Sequence, residues 1–251
     1  MRLSSNGAWE WLAESAGRCT SQATSSARGG VIVIPSFAVD RTEIILFHLR
    51  RLIRSKRIPA LPIYVDSPMA LAALKIYRDA IERRSVEVKP GAAVSDLDPG
   101  GVTEVKTVDE SMALNFERGP MIIISASGMA TGGRVLHHLA NRLPEERNTV
   151  ILVGYQALGT RGRSMLDGAP TVKMLGRYVA VKAEVVNVPA FSVHADQGEI
   201  VGWLCAAPSR PQICYIVHGD SDAADSLSAR IRKELGWNVV TPQHLEQVRL
   251  D

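Results

Sequence analysis

Two histidines pose the chemical question. His194 lies in Phe191-Ser192-Val193-His194-Ala195-Asp196, and His218 lies 24 residues later in Ile216-Val217-His218-Gly219-Asp220. Each His follows an apolar run and precedes a polar turn and a helix-like segment. In an α/β protein, strand ends of this kind deliver side chains into a ligand crevice. Two His and two Asp arriving this way point to a metal and phosphate site, although four groups are too few to build one alone. Asp196 also has a plainer reading. Glu199 follows it by three residues, which is a helix N-cap signature. Capping leaves room for a second role in orienting His194.

A second stretch, Ile122–Arg134, reads IIISASGMATGGR. A buried strand runs into small residues and then a helix. Such a turn aims backbone N–H groups and a helix dipole at whatever sits beyond the strand. Ser125, Ser127, Gly128, Thr131, Gly132 and Gly133 could cradle a phosphate, or could serve only as a small-residue packing turn. No GK[ST] follows, so this is not a P-loop. Arg161 and Arg163 flank a glycine in GTRGRS. Arg41, Arg50, Arg51, Arg54, Lys56 and Arg57 make the region after the first strand basic. Such runs form either a solvated face or contacts to nucleic-acid phosphates. His137 and His138 are neighbours on a helix and point about 100° apart, so they chelate one metal poorly and read as surface or groove residues. The sequence alone names no partner for His48, on a helix, or for His244, in the C-terminal tail.

The elements that would position these groups alternate. Val31–Pro35 is continuous, β-branched and ended by proline, which predicts a fully buried strand. Asp40–Ser55 carries Ile44, Ile45, Leu49, Leu52 and Ile53 at helical spacing. Ile63–Val65 predicts a strand and Pro68–Ile81 a helix. Residues 90–110 read as a loop with one short edge strand. The pattern restarts with a strand at Met121–Ile124, a helix at Gly132–Leu143, a strand at Thr149–Val153 and a short helix at Gly159–Leu166. Thr171–Met174 and Tyr178–Val188 read as hairpin-rich. A helix at Gln197–Cys205, a strand at Ile213–Val217, a helix at Ala223–Leu235 and two short strands complete the chain. Residues 1–30 are rich in Ser, Ala and Gly, with a helical hint only at Trp9–Ala16. Alternation of this kind implies a mostly parallel sheet covered by helices.

Composition bounds the function. The 251 residues hold 46% hydrophobic and 22% charged side chains with a net charge of +3. That suits one large or two small globular domains, and permits an acidic partner such as RNA. No apolar run reaches membrane-spanning length, and the N-terminus lacks the apolar core of a signal peptide. Cys19, Cys205 and Cys214 show no CxxC spacing and fit a reducing, cytoplasmic setting.

Six ordered segments together resemble the β-CASP family of metallo-β-lactamase-fold RNA-processing nucleases, including ribonuclease J and its bacterial and archaeal relatives. They are RGGVIVIPSFAVDRTE, LPIYVDSPMA, SASGMATGG, GYQALGTRGR, FSVHADQGE and IVHGD, spread over residues 28–251. The resemblance implies a β-CASP domain at 28–189 with a mostly parallel sheet flanked by helices. Residues 190–251 would be the C-terminal part of a metallo-β-lactamase αββα sandwich, and residues 1–27 match nothing. It implies His194 as general acid beside Asp196, His218 as a zinc ligand, and RNA near Ser125, Ser127, Gly128, Thr131, Gly132, Arg161 and Arg163.

The family's HxHxDH motif and its further metal ligands precede the β-CASP domain and have no counterpart here. A start inside a longer reading frame, or a frameshift, is the expected reason. A hydrolytic zinc needs about three protein ligands plus water, and a two-metal site roughly twice that. The expectation is therefore the C-terminal portion of a zinc-dependent ribonuclease that holds no catalytic zinc pair and is inactive alone. The other class of reading is a non-catalytic RNA-binding or regulatory module. Removal of half a sandwich should expose an apolar sheet through which the chain forms a homodimer or aggregates. No membrane partner is expected.

Overall fold

The computed structural model describes residues 29–188, 191 and 194–248. The helical hint at Trp9–Ala16 and the unmatched segment 1–27 lie outside the described residues. The chain divides into two compact units, the first ending at Ser192 and the second starting at Val193.

The first unit is built on a six-stranded sheet in which every pairing is parallel. In chain order its strands are β1 (Val31–Pro35), β2 (Ile63–Asp66), β3 (Val102–Glu104), β4 (Met121–Ser125), β5 (Thr149–Val153) and, after a hairpin of β6 (Thr171–Met174) and β7 (Arg177–Ala180), β8 (Glu184–Val188). The spatial order is β3-β2-β4-β1-β5-β8. β4 and β5 are buried along their whole length, as continuous apolar runs require when both faces are covered.

Alternate residues feed opposite faces. Ile122 and Ile124 pack with helix α1 (Arg41–Arg54), helix α2 (Pro68–Glu82) and the 3-10 turn at Val94–Leu97. Met121 and Ile123 pack with helix α4 (Val135–Arg142), helix α5 (Arg161–Leu166) and the β6–β7 hairpin (Thr171–Met174, Arg177–Ala180). Ile45, Leu46, Leu49 and Leu52 form the buried stripe of α1. Ser67 caps α2 by accepting from the Ala70 N–H, with Pro68 in the first turn where its missing donor costs nothing.

The order of strands creates a reversal. β1 and β4 are neighbours, but the chain leaves β1 into α1 on one face and leaves β4 into α4 on the other. The gap between two such departing connections, beyond the carboxyl ends of the strands, is where open α/β sheets hold ligands.

Four sequence expectations need correction. Helix α3 (Val108–Ala113) follows the edge strand β3, and its six residues are too few to show periodicity; the Thr107–Glu110 capping box is its signal. Helix α4 starts at Val135 rather than Gly132, because Gly133 has φ 80° and completes the turn. Residues 184–188 join the main sheet beside β5 instead of extending the hairpin. After the last helix only one strand forms among the described residues.

The second unit contains helix α6 (Gln197–Leu204), strand β9 (Cys214–Tyr215), helix α7 (Ser221–Leu235) and strand β10 (Val239–Val240). β9 is shorter than the Ile213–Val217 expected from hydropathy, and it pairs in parallel with β10. Val201, Ile231 and Val239 form its small core, with Leu204, Cys214, Ile216 and Leu227 against them. Gly236 ends α7 in the left-handed conformation. No helix among the described residues is long and apolar enough to cross a membrane.

Candidate functional site

The carboxyl edge of the sheet is tied together before it presents anything. The Ser36 N–H donates to the Ser125 carbonyl at 3.0 Å, joining the ends of β1 and β4. The Ser125 hydroxyl donates to the Asp66 carbonyl at 2.8 Å, joining β4 to β2. Ser125 is 1% exposed, so its hydroxyl serves this seam.

The Ser127–Gly133 turn rises from that edge. The Ser127 hydroxyl accepts from the Thr131 N–H at 3.0 Å and lies 3.0 Å from the Thr131 hydroxyl. Gly128 is required by contact, because a Cβ there would stand 2.8 Å from the Phe37 ring and 3.0 Å from the Phe37 nitrogen. Gly133 combines a positive φ with a Cβ direction only 2.9 Å from the Ala126 carbonyl oxygen. Gly132 has open space where a side chain would be.

Side chains from beyond β5 clamp the turn. Arg161 donates to the carbonyls of Ala130, Thr131 and Lys173 at 3.3, 3.0 and 2.6 Å. Gln156, 3% exposed, donates to the Gly128 carbonyl at 3.2 Å. Gly162 sits where any Cβ would overlap the Gln156 amide oxygen, and its N–H donates to the Met129 carbonyl at 3.0 Å. Arg163 turns away and pairs through its Nε with both oxygens of Asp167, at 2.8 and 3.0 Å. The two arginines read as a phosphate-binding pair therefore have different local work.

Beneath the turn lies a polar cluster that sequence reasoning missed. Asp66, at the end of β2, and His138, on α4, have fully buried side chains 2.7 Å apart (Oδ2 to Nε2). Arg134 donates to the other Asp66 oxygen at 2.7 Å, and the Ser111 hydroxyl donates to Oδ2. His138 Nδ1 lies 2.9 Å from the Asn115 amide oxygen. Burial works against the Asp66 charge, but hydrogen bonds from His138, Ser111 and Arg134 outweigh it and hold the carboxyl below its ordinary range. The reading of His137 and His138 as surface or groove residues holds for His137, which is exposed, and fails for His138, which is buried. The missed signal is Asp66 itself, a carboxylate at a strand end before a capped helix.

The basic stretch after β1 is not a uniform solvated face. Arg41 is 7% exposed, with Nε and Nη1 buried and without a hydrogen-bond partner. Arg50 donates to the Asp98 carbonyl at 2.7 Å, and Arg51 lies over the Phe47 ring. Arg54, Lys56 and Arg57 are exposed. Glu43 is 2% exposed with neither carboxylate oxygen bonded, and burial pushes its pKa up to about 7. His48 stacks edge-on with Phe47 and Phe191; burial, with help from Arg51, takes its pKa down to about 4.

In the second unit His194 is exposed just before α6. Asp196 caps that helix, accepting from the Glu199 N–H at 2.8 Å, while Glu199 accepts from the Asp196 N–H at 3.0 Å. His218 is exposed with φ 62°. A non-glycine residue in that region carries strain, which is commonest at working sites. Among the described residues, no three His, Cys, Asp or Glu side chains converge as a metal ion needs. The described donors do not by themselves make the ligand set of a zinc pair.

A Beta-Casp domain model matches residues 42–165, and a model described as a Zn-dependent metallo-hydrolase RNA specificity domain matches residues 178–242. The chain is 37% identical over 198 residues to Ribonuclease TTHA0252 of Thermus thermophilus, covering 78% of this chain and 44% of that protein. It is 34% identical over 207 residues to an RNase J-like protein of Methanocaldococcus jannaschii, covering 82% and 47%. It is 30% identical over 230 residues to the transcription termination factor FttA of Pyrococcus abyssi, covering 89% and 35%. The chain thus spans less than half the length of these curated relatives.

Proposed function

The chain belongs to the β-CASP family, and from that premise we propose that it is the RNA-holding and proton-donating part of a zinc-dependent ribonuclease. The observation that carries this reading is the Ser127–Gly133 turn, clamped by Arg161 and Gln156 at the reversal point of a parallel sheet. Such a crevice suits an extended phosphodiester strand. The match to an RNA specificity domain and a relative named as a ribonuclease support the same substrate class.

In this reading Ser127, Gly128, Thr131 and Gly132 line the strand's path with hydroxyl and backbone groups. His194 gives a proton to the departing ribose oxygen, and Asp196 fixes the start of the helix that follows it. His218 is the side chain here that suits a zinc ligand, and its left-handed backbone aims it from a tight turn. Zinc belongs to the family's domain, but the described donors do not complete a site, so no catalytic step is assigned through it.

Two further points belong to this reading. We place the chain in the cytoplasm, a setting that accords with Cys205 and Cys214 as free thiols. Self-association is favoured by the second unit's exposed Trp203 and Val217, and by β9 and β10, which pair only with each other among the described residues.

The test titrates labelled single-stranded RNA with the chain at several salt concentrations, with zinc present, and resolves the products. Expected are salt-dependent binding and intact RNA. Cleavage should appear when an HxHxDH-bearing half from a relative is added, and should vanish in His194→Ala. No binding at low salt rejects the proposal. Binding without cleavage, even after complementation, selects the second reading, a non-catalytic RNA-binding module.

A further inference from the structure

We draw no further inference here: the strongest candidate, the apolar cavity of about 680 Å³ walled by Val108, Met112 and Phe116 on one side and by Leu136 of helix α4 and Leu175 on the other, carries nothing because nothing in the structure shows what covers it.

Discussion

Asp66 Oδ2 and His138 Nε2 meet 2.7 Å apart with both side chains at 0% exposure, joining the end of β2 to the middle of α4. Arg134, three residues from the turn's Thr131, shares the same carboxylate. The turn that faces the crevice is therefore anchored from below by a buried charge.

Asp66→Asn keeps the volume but leaves Arg134 and His138 without their anion. Breaking a buried pair from one side costs about 3–5 kcal/mol. Urea denaturation should show a loss near the lower figure. The wild-type chain should also lose this contribution in acid. The folded pKa lies below the ordinary 3.8, so the stabilisation is complete above that value and disappears as pH falls toward the folded one. A midpoint unchanged in the variant would contradict the anchoring role.

Glu43 predicts the opposite slope. Its carboxyl is harder to ionise in the fold, with a pKa raised from 4.5 to about 7 by burial. The folded state thus binds the extra proton, and stability should fall as pH rises from about 4.5 to about 7 and then level off. The shift corresponds to about 3 kcal/mol at most. Glu43→Gln should flatten that window and leave the protein more stable at pH 8; stability curves against pH check both statements.

How much of this was legible in the sequence depends on where the cause lay. β1, β4 and β5 were readable because burial on both faces forces unbroken apolar runs, a local signal. Asp196 was readable as a cap because its partner, Glu199, is three residues away. His138 was not, because what makes burial tolerable is Asp66, 72 positions earlier. Arg41 was grouped with a basic face by its neighbours in sequence, but it is buried at the first turn of α1 while Arg54 is exposed.

Arg161 and Arg163 should separate cleanly. Arg161→Ala removes three donors to backbone carbonyls, including two in the Ser127–Gly133 turn. Amide exchange in that turn should accelerate, with a stability loss of about 2 kcal/mol. Arg163→Ala removes an exposed pair with Asp167 at i,i+4, which is worth about 0.5 kcal/mol or less. Similar losses in both variants would refute the clamp.

Gly133→Ala meets both a positive φ and the Ala126 carbonyl oxygen. It should lower stability by about 1–3 kcal/mol. Gly132→Ala, with open space around it, should change stability by less than about 1 kcal/mol. Thermal melts of the two alanine variants, compared side by side, test whether the turn's shape or its mere smallness matters.

The strand order has a consequence for synthesis. β1 leaves the ribosome before both its neighbours, β4 and β5, and the Val31 N–H must wait for Asn148, 117 residues on. At ribosomal speed that interval is on the order of ten seconds. The β4 edge of this apolar strand stays open until residues 121–125 emerge and the β5 edge until residues 149–153 do, a long exposure of an unpaired strand during synthesis.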